Sequence, residues 1–205
     1  MKARQVTRST RRRPTQPRAR LTVDAILDAV IRLLKREGQK AITTNRIAEV
    51  AGVSIGSVYQ YFPNKRAIFI ALHERHLSKI DRMVQSKLVE HAASPLVILI
   101  RAMVDGMIEA HAPDLELYQL LQTEVPHRAD GTRDFVLRLE GAFRLALSLH
   151  MDEVTTTANL DTMVFIVANM VDALSHGALL RRPRSLSLAK AKEAVTQAIL
   201  AYLRG

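Results

Sequence analysis

The chain of 205 residues contains no cysteine and no tryptophan. The lack of cysteine excludes disulfides, thiolate nucleophiles and thiolate zinc ligands, and it suits a reducing compartment. Aromatic residues amount to only five Phe and four Tyr, so the core must be aliphatic. No apolar run reaches the ~18 residues that a membrane helix needs, and the first ten residues lack the apolar segment of a secretory signal. We therefore expect a cytoplasmic protein that does not enter a membrane.

Support for catalysis is sparse as well. The chain has no glycine-rich phosphate loop and no cysteine nucleophile, so we predict that it is not an enzyme and needs no cofactor. His73 and His76 are three residues apart and could supply half of a metal site, but no matching ligand spacing occurs elsewhere, and we predict no metal. Asp152 and Glu153 are interpreted as residues that cap a helix start rather than as a catalytic pair.

Acidic residues are absent from the first 20 residues, which contain eight Lys/Arg and two Pro. Residues 1–70 hold 15 Lys/Arg against 4 Asp/Glu, whereas residues 71–205 hold 15 against 16. Positive charge confined to one end is typical of nucleic-acid binding, and a solvated arm that only aids solubility is the alternative. We predict that residues 1–20 form a disordered basic arm that contacts phosphates; entry into the minor groove and a non-specific tether are the alternatives.

Residues 43–65 contain the most informative pattern. Thr43 is a cap residue before a short apolar-periodic run that Gly52 interrupts, and Ser54 precedes a second run that Pro63 stops. Gly52 suits a turn position with positive φ, which a Cβ would penalise. Two short helices joined by a glycine-containing turn form a helix-turn-helix, and the pattern predicts one here.

The second of these helices, from about residue 55 to 62, is predicted to have two different faces. Val58 and Phe62 are four residues apart and share the core-facing side. The other side carries hydroxyls, an amide and bare backbone, which can read base edges and bond phosphates in a DNA major groove. Its members are Ile55, Gly56, Ser57, Tyr59, Gln60 and Tyr61. Lys65 follows the Asn64 cap of the next helix, where a helix start and an ammonium group both favour a phosphate.

This stretch resembles the tetracycline-repressor (TetR) family of bacterial transcription regulators. The similarity is carried by Thr43-Thr44, Ile47-Ala48, Ala51-Gly52-Val53-Ser54, Gly56, Val58-Tyr59-Gln60-Tyr61-Phe62 and Lys65 at fixed spacing. It covers residues 20–72 or so. The resemblance implies an all-α homodimer with an N-terminal three-helix DNA-binding domain, residues 21–70. It also implies a larger C-terminal domain for ligand binding and dimerisation, residues 71–205.

The resemblance further implies roles for individual side chains. The residues expected to hold phosphates are Thr43, Thr44, Ser54, Tyr59, Tyr61 and Lys65. The residues expected at base edges are Asn45, Ile55, Gly56, Ser57 and Gln60. Gln60 suits adenine, and Ile55 suits a thymine methyl group. Two copies would enter successive major grooves about 34–36 Å apart, so we predict a near-palindromic operator of double-stranded DNA.

The remaining segments with apolar residues at helical spacing are all predicted to be helices. They follow Thr22, Asn64, Ser94, Pro113, Gly131, Thr157 and Ser187. Together with the helix-turn-helix pair they make about nine helices without a credible strand pair, so the predicted fold is all-α. Thr22 is the predicted N-cap of the first helix. The helix after Ser94-Pro95 is apolar nearly all round and is expected in an interior.

The last two helices, residues 157–203, carry more apolar surface than one small domain can cover. We predict that they form a four-helix interface between two copies. The small residues expected to permit close approach are Ala168, Ala173, Gly177 and Ala178. The alternative is that these helices only close the core of the monomer.

A cavity for a small apolar or amphipathic ligand is predicted in the second domain, because adaptable Met side chains accompany a few polar groups there. The candidate residues are Met103, Met107, His111, Tyr118, Leu121, Phe135, Phe143, Phe165 and Asn169. The alternative is that these residues are plain core, with His111 and Asn169 satisfied internally.

These features together predict a sequence-specific DNA-binding transcription regulator, a repressor that a small ligand releases from its operator. The helix that starts at Lys65 would carry the change between the two domains. Two other classes remain open. One is a ligand-independent architectural DNA-binding protein that relies on the basic arm, and the other is an enzyme or ligand carrier with an accessory helix-turn-helix.

Overall fold

The computed structural model describes residues 17–125 and 130–205, and these residues form nine α-helices and three short 3-10 segments without a strand. The predicted all-α fold is therefore confirmed. The helices are α1 (Pro17–Glu37), α2 (Thr44–Ala51), α3 (Ile55–Tyr61), α4 (Lys65–Glu90), α5 (Leu96–His111), α6 (Leu115–Glu124), α7 (Asp130–Ser148), α8 (Leu160–Leu180) and α9 (Leu188–Arg204). Two compact units divide between Leu72 and His73. Each is described separately below.

The first unit consists of α1, α2, α3 and the beginning of α4. Its core is aliphatic except for two phenylalanines, and α1 packs along α2. Arg32 Nη2 donates a hydrogen bond of 2.9 Å to the carbonyl oxygen of Val50, which ties α1 to α2. The largest buried side chains are Ile26, Leu33, Ile42, Ile47, Ile68, Phe69 and Leu72. This core fixes the position of α3, which has one side buried and the other at the surface of the unit.

The start of α1 differs from the prediction. The helix begins at Pro17, and Thr22 Oγ1 donates to the carbonyl oxygen of Arg18 at 3.1 Å, so Thr22 lies inside the helix and is not its N-cap. Proline suits a first helical turn, because its missing N–H would have no partner there. The predicted disordered arm is therefore wrong for residues 17–20, which are helical. The rest of that predicted arm, residues 1–16, lies outside the described part of the chain.

The second unit is built around α5, which is buried along most of its length as predicted. α5 packs against α8 and α9, and α8 also packs against α7 and α9. The N-terminus of α5 follows Pro95 and has no cap from its own segment. Glu153 Oε1 accepts a hydrogen bond of 2.8 Å from the Leu96 N–H, so Glu153 caps α5 from a distant part of the chain.

Two of the small residues predicted at a dimer interface pack within the chain instead. Ala168 and Ala178 are each 7% exposed and belong to the core of the second unit. Ala173 is exposed and Gly177 is partly exposed. The difference arises because the rotation of α8 about its axis is set by packing on α7 and α9, which the apolar pattern alone does not specify.

Candidate DNA-binding surface and ligand cavity

The helix-turn-helix predicted from the sequence is present as α2, a turn and α3. Thr43 caps α2 by accepting a hydrogen bond from the Arg46 N–H, and Ser54 caps α3 by accepting one from the Ser57 N–H. Gly52 has φ 69° and ψ 31°, which confirms the predicted left-handed turn position. Val58 is fully buried. The side of α3 that carries Val58 therefore faces the core, and the opposite side faces outward.

The predicted DNA-binding residues lie on or beside this outward face. Tyr59 is 47% exposed and Ile55 is 39% exposed, which is high for side chains of their size. The exposed members are Thr43, Asn45, Ser54, Ile55, Gly56, Tyr59, Gln60 and Lys65, and the partly buried members are Thr44, Ser57 and Tyr61. None of the eleven is fully buried. The surface that they form is here called the α3 face.

Hydrogen bonds join some members of the α3 face to one another. Thr44 Oγ1 and the Tyr59 hydroxyl are 3.3 Å apart, which links the start of α2 to the middle of α3. Ser54 Oγ and Ser57 Oγ are 2.8 Å apart. Such contacts orient hydroxyl groups before any DNA is bound, which lowers the entropic cost of making phosphate hydrogen bonds.

Arg46 is a basic residue within this stretch that holds protein groups instead of facing a phosphate. Its guanidinium forms ion pairs with Glu49 at 2.6 Å and with Glu37 at 2.7 Å. Hydrogen bonds to these two carboxylates raise the pKa of Arg46. The pairs join α2 to the end of α1, and they offset the charge of Arg46.

Substitution of Gly56 by alanine is expected to change the stability of the fold and the affinity for DNA in opposite directions. A Cβ at this position would meet only Ser54 Oγ at 3.7 Å, an ordinary contact, and glycine in a helix costs about 0.5–1 kcal/mol relative to alanine. Gly56→Ala should therefore raise the melting temperature but weaken operator binding three- to tenfold, because the methyl group projects from the α3 face. Thermal unfolding and gel-shift titration measure the two effects.

Gly141→Ala is the matched control, because Gly141 is an exposed position on α7 with no atom within 4 Å of its added Cβ. It should raise stability and leave DNA binding unchanged. Operator affinity that is equal in the Gly56→Ala variant and the parent protein would remove Gly56 from the DNA interface.

A cavity of about 230 Å³ lies within the second unit. Residues of α4, α5, α6, α7 and α8 line it. Six of the nine predicted pocket residues are in its wall: Met107, His111, Tyr118, Leu121, Phe135 and Asn169. Met103 and Phe143 are buried in the core and do not line the cavity. Phe165 is 57% exposed on α8, so its predicted interior position is wrong.

Three histidines from distant parts of the chain meet in the wall of the cavity. His76 Nε2 lies 3.0 Å from His111 Nε2, and His176 Nε2 lies 3.2 Å from the same atom. The ring of Tyr118 stacks on that of His176 with centroids 4.3 Å apart. We call His76, His111 and His176 the imidazole cluster. The sequence pattern marked His76 only as half of a possible metal site. It gave no indication of His176, because the other two histidines of the cluster are 65 or more residues away along the chain.

The hydrogen bonds of the imidazole cluster assign the tautomer of His111. His111 Nδ1 lies 2.7 Å from the carbonyl oxygen of Met107 and must donate to it, so neutral His111 presents the lone pair of Nε2. His76 Nε2 at 3.0 Å and His176 Nε2 at 3.2 Å are the two nitrogens in a position to donate to this lone pair. His176 Nδ1 faces Asp172 Oδ1 at 3.3 Å.

Burial keeps two members of the cluster neutral. Burial, followed by repulsion from the other imidazoles and Lys79, lowers the pKa of His76 to about 3. Burial likewise lowers the pKa of His111 to about 4, although its bond to Met107 and the Asp172 carboxylate oppose the change. At neutral pH these rings are therefore hydrogen-bonding groups and carry no charge.

The lowered pKa values predict a loss of stability in mild acid. The unfolded chain binds a proton on each histidine near pH 6.5, whereas folded His76 and His111 stay neutral, so stability falls as the pH drops below 6.5. Between pH 7 and pH 5 the free energy of unfolding should fall by up to about 2 kcal/mol for each of the two histidines. His76→Gln should flatten this dependence, as measured by denaturant titration at both pH values.

His91→Gln is the control for this measurement, because His91 lies outside the cluster and pairs with Glu90. It should retain the slope of the parent protein. A slope that His76→Gln leaves unchanged would show that other groups cause the acid sensitivity.

No group of three or more histidine, aspartate or glutamate side chains in residues 17–125 and 130–205 has an arrangement that could hold a metal ion. His73 lines the cavity beside His76 but is not part of the imidazole cluster. The Oγ1 atom of Thr132, also in the wall, is buried and has no hydrogen-bond partner within those ranges. The cavity thus presents polar atoms that a ligand would satisfy.

Models of known protein families match both units of the chain. The family model described as "Bacterial regulatory proteins, tetR family" matches residues 26–72. The model described as "Tetracyclin repressor-like, C-terminal domain" matches residues 95–203. The first match covers α2 and α3 completely, and the second covers α5 to α9 almost to the last residue.

Individual relatives are similar over parts of the chain or in fold. The nucleoid occlusion factor SlmA of Actinobacillus pleuropneumoniae is 47% identical over 51 residues, which are 24% of this chain and 25% of the relative. The chain thus matches about a quarter of the length of that curated protein. A Rhodococcus sp. RHA1 structure of unknown function has a TM-score of 0.72 at 13% identity, covering 97% of this chain and 100% of the other. The Bacillus subtilis regulator FadR in complex with stearoyl-CoA has a TM-score of 0.66 at 16% identity, covering 88% and 99%.

Proposed function

Because this chain belongs to the TetR family of bacterial regulatory proteins, we propose that it is a dimeric repressor that binds an operator through the α3 face and is released by a small ligand. The observation that carries the proposal is the outward position of the α3 face on a capped, two-turn helix. A helix presented in this way fits the major groove, where uncharged hydrogen-bonding side chains distinguish base edges.

The charge distribution supports DNA as the partner. The net excess of Lys and Arg is confined to residues 1–70. Lys65 is exposed at the first position of α4, and the Asn64 side chain caps that helix by accepting from the Ala67 N–H at 2.9 Å. A helix start and an ammonium group together attract a phosphate. We assign two roles within the α3 face: phosphate contacts to Thr43, Thr44, Ser54, Tyr59, Tyr61 and Lys65, and base-edge contacts to Asn45, Ile55, Gly56, Ser57 and Gln60.

Exposed apolar residues support α8 and α9 as the dimer interface. On α8 they include Phe165 at 57% and Leu174 at 38% exposure. On α9 the exposed small residues are Ala194, Ala198 and Ala201. By length and composition α8 is apolar enough to cross a membrane, yet only 44% of its most apolar stretch is buried. Pairing of α8 and α9 with a second copy would cover this surface in a cytoplasmic protein.

Release by a ligand is the second half of the proposal. The 230 Å³ cavity is lined by apolar side chains together with a smaller number of polar ones, as ligand sites commonly are. Its wall includes His73, His76, Leu77 and Ile80 of α4, the helix whose first residues belong to the DNA-binding unit. A ligand that binds one arrangement of α4 more tightly would change the spacing of the two α3 helices in the dimer and so weaken operator binding.

Selection of bound duplexes from random DNA tests the proposal. The full chain should enrich one near-palindromic sequence whose half-sites are one helical turn apart, about 34–36 Å. A compound that occupies the cavity should then release this duplex. Uniform affinity for all duplexes with a steep salt dependence would instead identify an architectural DNA-binding protein. Failure to bind any duplex would favour an enzyme or carrier with an accessory helix-turn-helix.

A further inference from the structure

The charged groups in the wall of the cavity are all acidic. Glu140 of α7 and Asp172 of α8 line it, and none of the lining residues is Lys or Arg. The basic side chains nearby are directed elsewhere: Lys79 Nζ lies 3.4 Å from the carbonyl oxygen of Ala110, and Arg138 pairs with Asp81 at 2.8 Å. Arg181 is exposed and lies outside the wall. The wall itself therefore contains no cationic side chain, and Lys79 and Arg181 act on His76, His111 and Tyr118 only from outside it.

The imidazole cluster does not supply the missing positive charge. His111 is neutral, with its one N–H directed at the carbonyl oxygen of Met107. His176 Nε2 lies 3.2 Å from His111 Nε2 and forms a hydrogen bond with it. The N–H groups of His111 and His176 in this bond and in the bond to Met107 are thus directed at protein acceptors and not at a ligand anion.

Glu140 adds a further acceptor. Its side chain is partly buried and has no hydrogen bond or ion pair within the part of the chain that the structure describes. A ligand cation would give this carboxylate a charged hydrogen-bond partner. α7 and α8 pack against each other, so Glu140 and Asp172 belong to neighbouring walls. The aromatic faces of Tyr118 and Phe135 in the same wall also attract a cation.

We infer that the ligand of this cavity is a protonated amine with an apolar body, held by Glu140 and Asp172. The ammonium donates to the two carboxylates, and the apolar body lies against Leu121, Phe135 and Leu139. The cavity, at about 230 Å³, has room for a small apolar body. The inference rests on the proposed role of this cavity as the ligand site.

Three compounds that share one apolar body test the inference. 4-Phenylbutylamine, 4-phenylbutan-1-ol and 4-phenylbutanoate differ only in a cationic, neutral or anionic head. Isothermal titration of the full-length protein at pH 7 should give the amine at least tenfold higher affinity than the alcohol, with the carboxylate weakest. Glu140→Gln and Asp172→Asn should each lower the affinity for the amine at least fivefold and change the affinity for the alcohol less than twofold.

Glu116→Gln provides the matched control, because Glu116 is exposed on α6 and does not line the cavity. It should bind the amine as the parent protein does. Equal or tighter binding of the alcohol or the carboxylate would overturn the inference, as would an amine affinity that Glu140→Gln leaves unchanged or the absence of amine binding.

The two proposals fail separately. If a selected operator is released by an anionic compound, the repressor assignment stands and the amine assignment falls. If no duplex is selected but the amine binds in a Glu140-dependent way, the amine assignment stands and the repressor assignment falls.

Discussion

Replacement of Ala198 by arginine is expected to convert the dimer into monomers and to lower operator affinity about a hundredfold or more. Ala198 is exposed on α9, so the substitution costs the monomer little, and arginine is a good helix former. In a four-helix interface the long charged side chain would be placed against the partner's helices, where it cannot be paired. Loss of the second half-site removes the 10²–10⁴-fold gain that bivalent binding supplies.

Sedimentation of the Ala198→Arg variant and gel-shift titration with the selected operator measure the two effects. Ala92→Arg is the control, because Ala92 is an exposed position in the turn between α4 and α5. It should remain a dimer with normal affinity. An Ala198→Arg variant that sediments as a dimer would place the interface elsewhere.

Replacement of Tyr59 by alanine is expected to lower operator affinity more than tenfold while the dimer stays intact. Tyr59 is 47% exposed on the α3 face, and its hydroxyl lies 3.3 Å from Thr44 Oγ1, so the phenol is held in position for a phosphate. A tenfold loss corresponds to about 1.4 kcal/mol, within the range of a hydrogen bond to a charged group. About half of Tyr59 is buried, so the truncation should also lower the melting temperature of the dimer without unfolding it.

The kind of contact can be read from the sequence dependence of the loss. Removal of a phosphate contact weakens binding to all duplexes alike, whereas removal of a base contact relaxes specificity at one position. Tyr59→Phe should therefore lower affinity uniformly across operator variants, and Gln60→Ala should mainly relax the preference at one base pair. Unchanged binding by Tyr59→Ala would refute the role assigned to this residue.

The helix-turn-helix was predictable because the forces that define it act over a few residues. Thr43 and Ser54 cap helices through bonds to N–H groups three residues away. Gly52 ends α2 because its backbone adopts a positive φ, a conformation that glycine adopts without strain. The spacing of Val58 and Phe62 directs one side of α3 inward and leaves the other side outside. Such local rules can be read directly from neighbouring residues.

The first helix and the last two show where local patterns were insufficient. Thr22 fits a cap by residue type, yet a proline five positions earlier begins the helix and Thr22 bonds backward within it. Phe165 and Ala168 are three residues apart on the same apolar helix, but one is 57% exposed and the other 7%. The sequence predicted Phe165 in an interior pocket and Ala168 at a dimer interface, whereas the packing of α8 on its neighbours exposes the first and buries the second.

The amino-acid order alone thus specified α2 and α3, their capping groups and the outward hydroxyls of α3, since each depends on bonds within one or two turns. The imidazole cluster depends on contacts between residues 35 and 65 positions apart, and the wall acids Glu140 and Asp172 come from two different helices. No local hydrogen bond or periodicity encodes such meetings. They follow from how α4, α5, α7 and α8 pack around a shared apolar core, because that packing sets the rotation of each helix and so the groups that face the cavity.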